Sequence, residues 1–230
     1  MVDPAINAVI GNPLLATKIY TPRMHTGRVS RPRLIERLAQ GIERKLTLIS
    51  APAGFGKTTL LAEWLAVTSD GQRSAGWVSL DQSDNEPTLF WAYFITALQK
   101  VHSEVGESAL SLLRSPQPPP IESILTRLIN EISAIEEDSS TGSGRGIVLV
   151  LDDYHVIDAQ TIHSAIAFFI DHLPPQMHLV IASRADPPLP LSRLRARGEL
   201  TELRATDLNF TPDEAASFLN EDYEPGSLRC

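Results

Sequence analysis

Short apolar runs alternate along the chain with longer segments in which apolar and polar residues are mixed. The runs are rich in β-branched residues, and strands that are buried on both faces of a parallel sheet have this character. The predicted strands cover residues 45–50, 75–80, 146–151, 178–183 and 200–205. Strands that alternate with helices indicate an α/β fold. We therefore predict a five-stranded, mostly parallel sheet flanked by helices.

The segments between these runs have the apolar spacing of amphipathic helices, with repeats of three and four residues. The predicted helical stripes lie at residues 60–65, 89–101, 121–135 and 162–173. A further helix is predicted to begin at Thr211, where the sequence Thr-Pro-Asp-Glu forms a capping box. The pattern places the aromatic side chains of these stripes in the core, namely Trp64, Phe90, Tyr93, Phe94 and Phe169. A polar loop at 136–146 and an unstructured tail at 223–230 complete the pattern.

Composition fits a soluble domain in a reducing compartment. The 230 residues are 43% hydrophobic, which is sufficient for a sizeable core. The single cysteine, Cys230, excludes a disulfide framework within the chain. The N-terminus does not resemble a signal peptide, and the longest strongly apolar run is far too short to span a membrane. We expect a cytoplasmic protein without a membrane partner.

The net charge of -8 argues against nucleic acid as the partner of the chain as a whole. The first 50 residues differ from the rest, because lysine and arginine outnumber aspartate and glutamate there. This basic arm either meets nucleotide phosphates or forms a solvated surface, and the sequence leaves both possibilities open.

The strongest chemical motif joins the first predicted strand to the first predicted helix. Residues 51–58 match the phosphate-loop pattern Gly-x-x-x-x-Gly-Lys-Ser/Thr, with Ala51 in place of the first glycine. Glycines allow backbone N–H groups to converge on phosphate oxygens. Lys57 supplies charge to the β- and γ-phosphates, and the Thr58 hydroxyl is a magnesium ligand. The sequence therefore predicts binding of ATP or ADP with Mg²⁺. The predicted contacts are Pro52, Ala53, Gly54, Phe55, Gly56, Lys57, Thr58 and Thr59.

Two carboxylates follow the third predicted strand. Asp152 and Asp153 come directly after five apolar residues. A phosphate-loop enzyme needs one carboxylate near its magnesium and another group to orient or deprotonate the attacking water. Asp152 is the predicted magnesium carboxylate and Asp153 the predicted catalytic base. The alternative role for Asp153 is a structural anchor of the loop at 154–158.

An arginine follows the fourth predicted strand. If that strand lies beside the acidic strand, Arg184 points into the crevice where ligands of open α/β sheets bind. There it would sense the γ-phosphate or stabilise charge that develops during transfer. Spacing alone equally allows a surface arginine.

Several motifs together resemble one family. They include the loop just described and the sequences Gly-Trp-Val-Ser-Leu-Asp at 76–81, Asp-Asn at 84–85, Leu-Asp-Asp-Tyr-His at 151–155 and Ala-Ser-Arg at 182–184. Leu-Arg-Ala-Arg-Gly-Glu-Leu at 194–200 and Asp-Leu-Asn-Phe-Thr at 207–211 extend the likeness. This set resembles the MalT/LuxR-type transcriptional activators, which belong to the signal-transduction ATPases with numerous domains (STAND). The resemblance covers roughly residues 14 to 220.

The resemblance implies a P-loop NTPase fold of the RecA-like (ASCE) type, with an extra strand between the loop strand and the acidic strand. It makes Arg184 the phosphate sensor and places Val29 and Arg31 against the adenine. The implied divisions are a lead-in segment at 1–35 that contributes to the nucleotide pocket, an ATPase domain at 36–210 and the start of a following helical element at 211–230. Members of the family are switches that rest with ADP, open and oligomerise with ATP, and hydrolyse ATP slowly.

The family's winged-helix, sensor and helix-turn-helix domains have no counterpart in this sequence. We therefore expect that this chain alone does not bind DNA specifically. We expect it to associate with itself or with other regulator chains. The sequence does not identify the inducer. Two other functions remain open, a small-molecule or nucleotide kinase and a domain that binds nucleotide without turnover. A GTPase is disfavoured, because the guanine-reading motif Asn-Lys-x-Asp is missing.

Overall fold

A computed structural model describes residues 14–23, 29–68, 74–135 and 146–221. The predicted tail at 223–230 and all but the last residue of the predicted loop at 136–146 lie outside these ranges. The strands are β1 (Leu46–Ser50), β2 (Ser74–Ser79), β3 (Ile147–Asp152), β4 (Met177–Ser183) and β5 (Leu200–Arg204). Each begins and ends within one residue of its predicted position.

The helices fill the connections between the strands. They are α1 (Pro32–Gly41), α2 (Lys57–Thr68), α3 (Pro87–Val101), α4 (Glu107–Leu113), α5 (Ile121–Ser133), α6 (Gln160–Asp171), α7 (Leu191–Ala196), α8 (Ala205–Leu208) and α9 (Pro212–Glu221). Single 3₁₀ turns occupy Ala16–Ile19, Gln82–Asn85 and Tyr154–Val156. The predicted capping box of α9 is present, because the Thr211 hydroxyl accepts from the Glu214 amide at 3.2 Å and the Glu214 carboxylate accepts from the Thr211 amide at 2.9 Å. No helix in the described ranges is long and apolar enough to cross a membrane.

The strand order across the sheet is β2-β3-β4-β1-β5. All neighbouring pairs are parallel, so within the described residues the sheet is wholly parallel rather than mostly parallel. Strand β4 separates the phosphate-loop strand β1 from the acidic strand β3, which confirms the RecA-like arrangement. Because all five strands point the same way, the segments that follow them meet along a single edge of the sheet.

Helices cover both faces of the sheet, as its all-apolar strands require. On one face, α3 and α6 bring together an aromatic cluster in which ring centroids are 4.9–6.4 Å apart (Phe90, Trp91, Phe94 and Phe169). On the other face, α1 and α2 pack Leu38, Leu61 and Trp64 against the sheet. Aromatic residues predicted as core are therefore core.

The lead-in segment packs on the edge strand β2 and on α3. Lys18, in the lead-in segment, is buried and its ammonium bonds to the Asp84 carboxylate at 2.5 Å and to Asp81 at 3.0 Å. The same ammonium lies 4.6 Å from the centre of the Tyr93 ring. Burial raises the pKa of Asp84, and the hydrogen bond from Lys18 opposes that shift. The two carboxylates after β2 therefore anchor the lead-in segment.

Candidate nucleotide-binding site

The loop between β1 and α2 has the conformation that a phosphate cradle requires. Gly54 and Gly56 have φ angles of 84° and 74°. These values are in the left-handed region, where a residue with a Cβ is strained. The loop therefore depends on glycine at both positions, and Gly54 is exposed towards solvent with no atom within 4 Å of where a Cβ would stand.

Lys57, the first residue of α2, turns back over the loop. Its ammonium donates to the carbonyl oxygen of Ala51 at 2.8 Å and to that of Pro52 at 3.0 Å. The side chain is buried, and burial lowers the pKa of Lys57, while the nearby carboxylates of Asp153 and Asp152 oppose that change. A charged donor that is held by two loop carbonyls is ready to move to phosphate oxygens, which bind ammonium groups more strongly.

Thr58 and Asp152, the two predicted magnesium ligands, meet across the crevice. The Thr58 hydroxyl donates to the Asp152 carboxylate at 2.8 Å. Asp152 is 3% exposed, and burial raises its pKa to about 6 even though the Thr58 hydrogen bond acts in the opposite direction. A hydroxyl and a carboxylate at this separation are oxygen donors of the kind that Mg²⁺ prefers.

The protein supplies only part of a magnesium shell in this region. No group of three histidine, cysteine, aspartate or glutamate side chains within the described ranges is arranged to hold a metal ion. Magnesium in nucleotide sites is usually held by one or two protein groups together with phosphate oxygens and water. The Thr58–Asp152 pair fits that pattern.

Asp153 has an unusual backbone conformation directly after β3. Its φ and ψ are 58° and 34°, and among the described residues it is the one non-glycine residue with positive φ. Aspartate and asparagine tolerate this region better than most residues. The Asp153 side chain is 46% exposed, and its Oδ1 lies 3.7 Å from Nδ1 of His155, which is beyond hydrogen-bond distance. The carboxylate is thus accessible to water beside the buried Asp152.

Arg184 is exposed at the end of β4, next to the phosphate loop. Burial of His155 is the main cause of its lowered pKa, and the positive charge of Arg184 is the second cause. The charge of Arg184 also helps to lower the pKa of Lys57. The structure therefore places Arg184 on the surface and also in the electric field of the site. Its role as phosphate sensor remains a prediction.

Arg31 lies against the opposite side of the phosphate loop. A Cβ built on Gly56 would be 3.5 Å from Nη2 of Arg31. The guanidinium also donates to the carbonyl oxygen of Leu208 at 3.0 Å and stacks 4.3 Å from the centre of the Phe210 ring. Burial lowers the pKa of Arg31. Val29, the other predicted adenine contact, is half-buried two residues earlier.

Other arginines of the basic arm bind the protein itself. Arg33 donates to the Glu214 carboxylate at 3.0 and 3.1 Å and to the carbonyl oxygens of Asp207 and Asn209 at 2.7 and 2.8 Å. Arg37 donates to the Asp207 carboxylate at 2.7 Å. Both side chains are also exposed, so these two residues form part of a solvated surface while they pair within the domain.

Asn85 is a structural residue of the site whose partners the sequence did not indicate. Its Oδ1 accepts from the amides of Asp158 at 2.6 Å and Ala159 at 3.0 Å. Its Nδ2 donates to the carbonyl oxygens of Val156 at 2.9 Å and Gln82 at 3.2 Å. One side chain thus ties the turn before α3 to the loop after the acidic pair. The motif Asp-Asn at 84–85 was a signal, but nothing in it indicated these partners.

Asn85→Ala is expected to lower the free energy of unfolding by about 1–3 kcal/mol, because it leaves several backbone groups without their partners. Urea denaturation followed by circular dichroism measures this change. Gln82→Ala is the matched control, since the exposed Gln82 side chain can be removed while its backbone carbonyl remains. Equal stabilities of the two variants would contradict the role given to Asn85.

Comparison with known proteins agrees with this geometry. The family model described as AAA ATPase domain matches residues 32–182. The HTH-type transcriptional regulator MalT of Serratia proteamaculans (strain 568) is 37% identical over 207 residues, which are 90% of this chain and 22% of that protein. MalT of Vibrio cholerae serotype O1 (strain ATCC 39315 / El Tor Inaba N16961) is 34% identical over 213 residues, with 92% and 22% covered. These relatives confirm the resemblance seen in the motifs, and the chain spans about a fifth of their length.

Two solved structures share the fold. A STAND protein with a tetratricopeptide repeat sensor from Pyrococcus horikoshii has a TM-score of 0.53 and 16% identity, over 89% of this chain and 27% of that one. A Walker-type ATPase of Pyrococcus abyssi has a TM-score of 0.51 and 15% identity, over 86% of this chain and 59% of that one. At these identities the likeness confirms the fold of the ATPase and carries no further conclusion.

Proposed function

We propose that this chain, which belongs to the AAA ATPase domain family, is the ATP-binding and slowly hydrolysing switch module of a MalT-type transcriptional regulator. The observation that carries this proposal is the meeting of Lys57, Thr58 and Asp152 at the edge of the sheet. The fold alone would not be sufficient to assign this function, because one fold supports many functions.

Phosphate binding follows from the loop. Gly54 and Gly56 hold the loop in left-handed conformations, which allow backbone N–H groups to converge on an anion at the N-terminus of α2, where the helix dipole favours negative charge. The Lys57 ammonium exchanges the carbonyl oxygens of Ala51 and Pro52 for oxygens of the β- and γ-phosphates. The gain is electrostatic, since a neutral acceptor is replaced by a charged one.

Thr58 and Asp152 would hold Mg²⁺ beside these phosphates. When bound, the ion neutralises charge on the β- and γ-phosphate oxygens. The part that this chain supplies is an oxygen pair already 2.8 Å apart. Ionised Asp152 is the form that a cation stabilises, so binding of the ion would oppose the effect of burial on its pKa.

Hydrolysis would use Asp153 and Arg184. Asp153 accepts a proton from water or orients it, and Arg184 faces charge that develops on the leaving phosphate oxygens. Both side chains are well exposed. Exposure to water screens their charges and leaves the reacting groups free to move, which explains why turnover would be slow.

The switch part of the proposal rests on the regulators to which the chain is similar. ADP would hold a resting form, and ATP a form able to associate with other copies or with other chains of the regulator. The proposed location is the cytoplasm. Slow hydrolysis suits a switch because the ATP form must persist long enough to act.

A kinase fits the structure less well. A kinase would usually need an arginine-rich lid over the phosphates, and the arginines at 193–197 form a cluster in the sequence that could be mistaken for one. Instead, Nη2 of Arg193 donates to both carboxylate oxygens of Asp171, and Nε and Nη2 of Arg195 form a bidentate pair with Glu202. These side chains are engaged by carboxylates of the domain itself, which favours the switch over the kinase.

The expected result of incubating the chain with Mg²⁺ and ATP, without an acceptor, is slow release of ADP and phosphate. The rate should lie below about one per second, the lower end of ordinary enzyme turnover. Coupled detection of phosphate measures it, and excess chelator is the control for contaminating activity. Turnover that requires an added acceptor would establish a kinase, and ATP binding without turnover would establish a binding domain.

A further inference from the structure

The segment after β4 carries Arg184, whose proposed partner is the γ-phosphate of ATP. The Arg184 side chain is exposed, and among the described residues no hydrogen bond or ion pair holds its guanidinium. A long, flexible cation meets one phosphate group reliably only if the backbone that carries it is held in place. The contacts of the residues on either side therefore decide where Arg184 reaches.

The backbone directly before Arg184 is bonded to the phosphate loop. The amide of Ala51, the first residue of that loop, donates to the carbonyl oxygen of Ser183 at 3.2 Å. The Ser183 hydroxyl donates in turn to the carbonyl oxygen of Ala185 at 2.5 Å, so the two residues that flank Arg184 are bonded to each other. The start of this segment is thus fixed relative to the phosphate loop.

The carboxylate of Asp186 anchors the segment on the other side of Arg184. Asp186 accepts from Nη1 of Arg204, the last residue of β5. Because β1 lies between β4 and β5 in the sheet, this ion pair spans the end of the strand that carries the phosphate loop. The hydrogen bond from Arg204 lowers the pKa of Asp186, burial opposes that shift, and a hydrogen bond with the Ser50 side chain at the end of β1 lowers the pKa further.

Arg204 is itself held in place, so it serves as an anchor. Its Nη2 donates to the Glu202 carboxylate, and its backbone amide donates to the Asp207 carboxylate at 2.7 Å. The side chains of Arg204 and Asp186 are 34% and 51% exposed. An ion pair that is this exposed adds little to the stability of a fold. Its more specific effect is to fix the distance between the segment after β4 and the end of β5.

We propose that Asp186, through its ion pair with Arg204, positions Arg184 for the γ-phosphate and thereby sets the preference of the site for ATP over ADP. This inference rests on the proposed function, because Arg184 acts at the same nucleotide site. ATP and ADP share the base, the sugar and two phosphates, so a group that reaches the third phosphate distinguishes them. Asp186 is a positioning residue that acts through Arg184 without touching the nucleotide.

The test measures the Kd for ATP and the Kd for ADP by calorimetry with Mg²⁺ present. Asp186→Ala is expected to weaken ATP binding about tenfold, the size of one lost charge-assisted hydrogen bond, while ADP binding stays within about twofold. Arg204→Ala breaks the same ion pair from its other side and should give the same result. In that variant Glu202 keeps its bidentate pair with Arg195, so the substitution leaves no carboxylate of the pair network buried and unpaired.

Two further variants serve as controls. Asp171→Ala breaks another exposed ion pair, that with Arg193, at the opposite end of the strands, where the Asp171 carbonyl oxygen accepts from Lys45 before β1. It should leave both Kd values unchanged. Asp186→Asn keeps an oxygen that accepts from Arg204, so it should recover most of the ATP affinity that Asp186→Ala loses.

Arg184→Ala supplies a readout that a purely structural role of Asp186 would not move. If Asp186 acts through Arg184, this variant lowers the preference for ATP at least as much as Asp186→Ala does. Adding Asp186→Ala to it should then change the ratio of the two Kd values no further, because the two residues act as one unit.

Three results would overturn the inference. An unchanged ratio of the two Kd values in Asp186→Ala would remove Asp186 from phosphate discrimination, and equal weakening of ATP and ADP would make its role structural. A further fall in the ratio when Asp186→Ala is added to Arg184→Ala would show that it acts independently of Arg184. Failure of the unchanged chain to bind either nucleotide would contradict the proposed function itself, whereas these three results leave the phosphate-loop site intact.

Discussion

Replacing Lys57 with alanine is expected to weaken ATP binding about tenfold or more while the domain remains folded. In the described structure the Lys57 ammonium contacts two carbonyl oxygens of its own loop. Its removal therefore takes a charge from the phosphate site and little apolar packing from the core. The loop keeps Gly54 and Gly56, so the backbone cradle persists without its cation.

A fluorescent ATP analogue measures the affinity, and thermal denaturation checks folding. Lys45→Ala is the matched control, because the Lys45 ammonium also donates to a backbone carbonyl, that of Asp171 at 3.0 Å, but at the opposite end of β1. The control should bind ATP normally. Unchanged affinity in a folded Lys57→Ala protein would refute the phosphate-loop assignment.

The second large effect is expected at Asp153. Asp153→Asn should keep ATP affinity within a few-fold and reduce hydrolysis by about a hundredfold or more, the usual size of a lost general base. The substitution is well matched to the structure, since asparagine adopts the left-handed conformation of this residue as readily as aspartate does. A fall in rate would therefore report the lost carboxylate and not a distorted turn.

Asp152→Asn provides the contrast. Asp152 is buried against the Thr58 hydroxyl, so its replacement should weaken magnesium-dependent binding and hydrolysis together. Binding and single-turnover hydrolysis measured on both variants separate the two roles. If Asp153→Asn loses affinity, stability and rate in equal measure, Asp153 is an anchor of the following loop and is not the catalytic base.

Local sequence patterns were sufficient for the strands and for the position of Thr58 near Asp152. Buried parallel strands are continuous apolar runs, and the residues that follow them must share one edge of the sheet. For this reason the contact between Thr58 and Asp152 could be expected from sequence, although 94 residues separate them. The same logic placed Arg184 in the ligand crevice on the condition that its strand lies beside the acidic strand, and β4 does pair with β3.

The short helices were missed because their apolar stripes are too brief. Helix α1 buries Leu34, Leu38 and Gly41, and α4 has seven residues. Neither gives the repeated spacing over 11 or more residues on which a helix assignment depends. Tertiary contacts stabilise both helices, although their local sequence pattern is weak.

Contacts between side chains and distant backbone groups could not be predicted. Asn85 bonds to amides of the loop after β3, and Arg33 bonds to carbonyl oxygens of the segment after β5. Every residue offers the same backbone donor and acceptor, so the partner of such a side chain leaves no mark in the sequence. The contact of Arg31 with Phe210 belongs to the same class, since it depends on how α1 meets the exit from β5.

Calorimetric titration of the unchanged chain with ATP, with and without Mg²⁺, tests the central claim most directly. The account predicts saturation at one ATP per chain in the presence of Mg²⁺, and weaker binding when a chelator removes the ion, because Thr58 and Asp152 then lose the cation that links them to the phosphates. Absence of saturable ATP binding by the folded chain with Mg²⁺ present would contradict it.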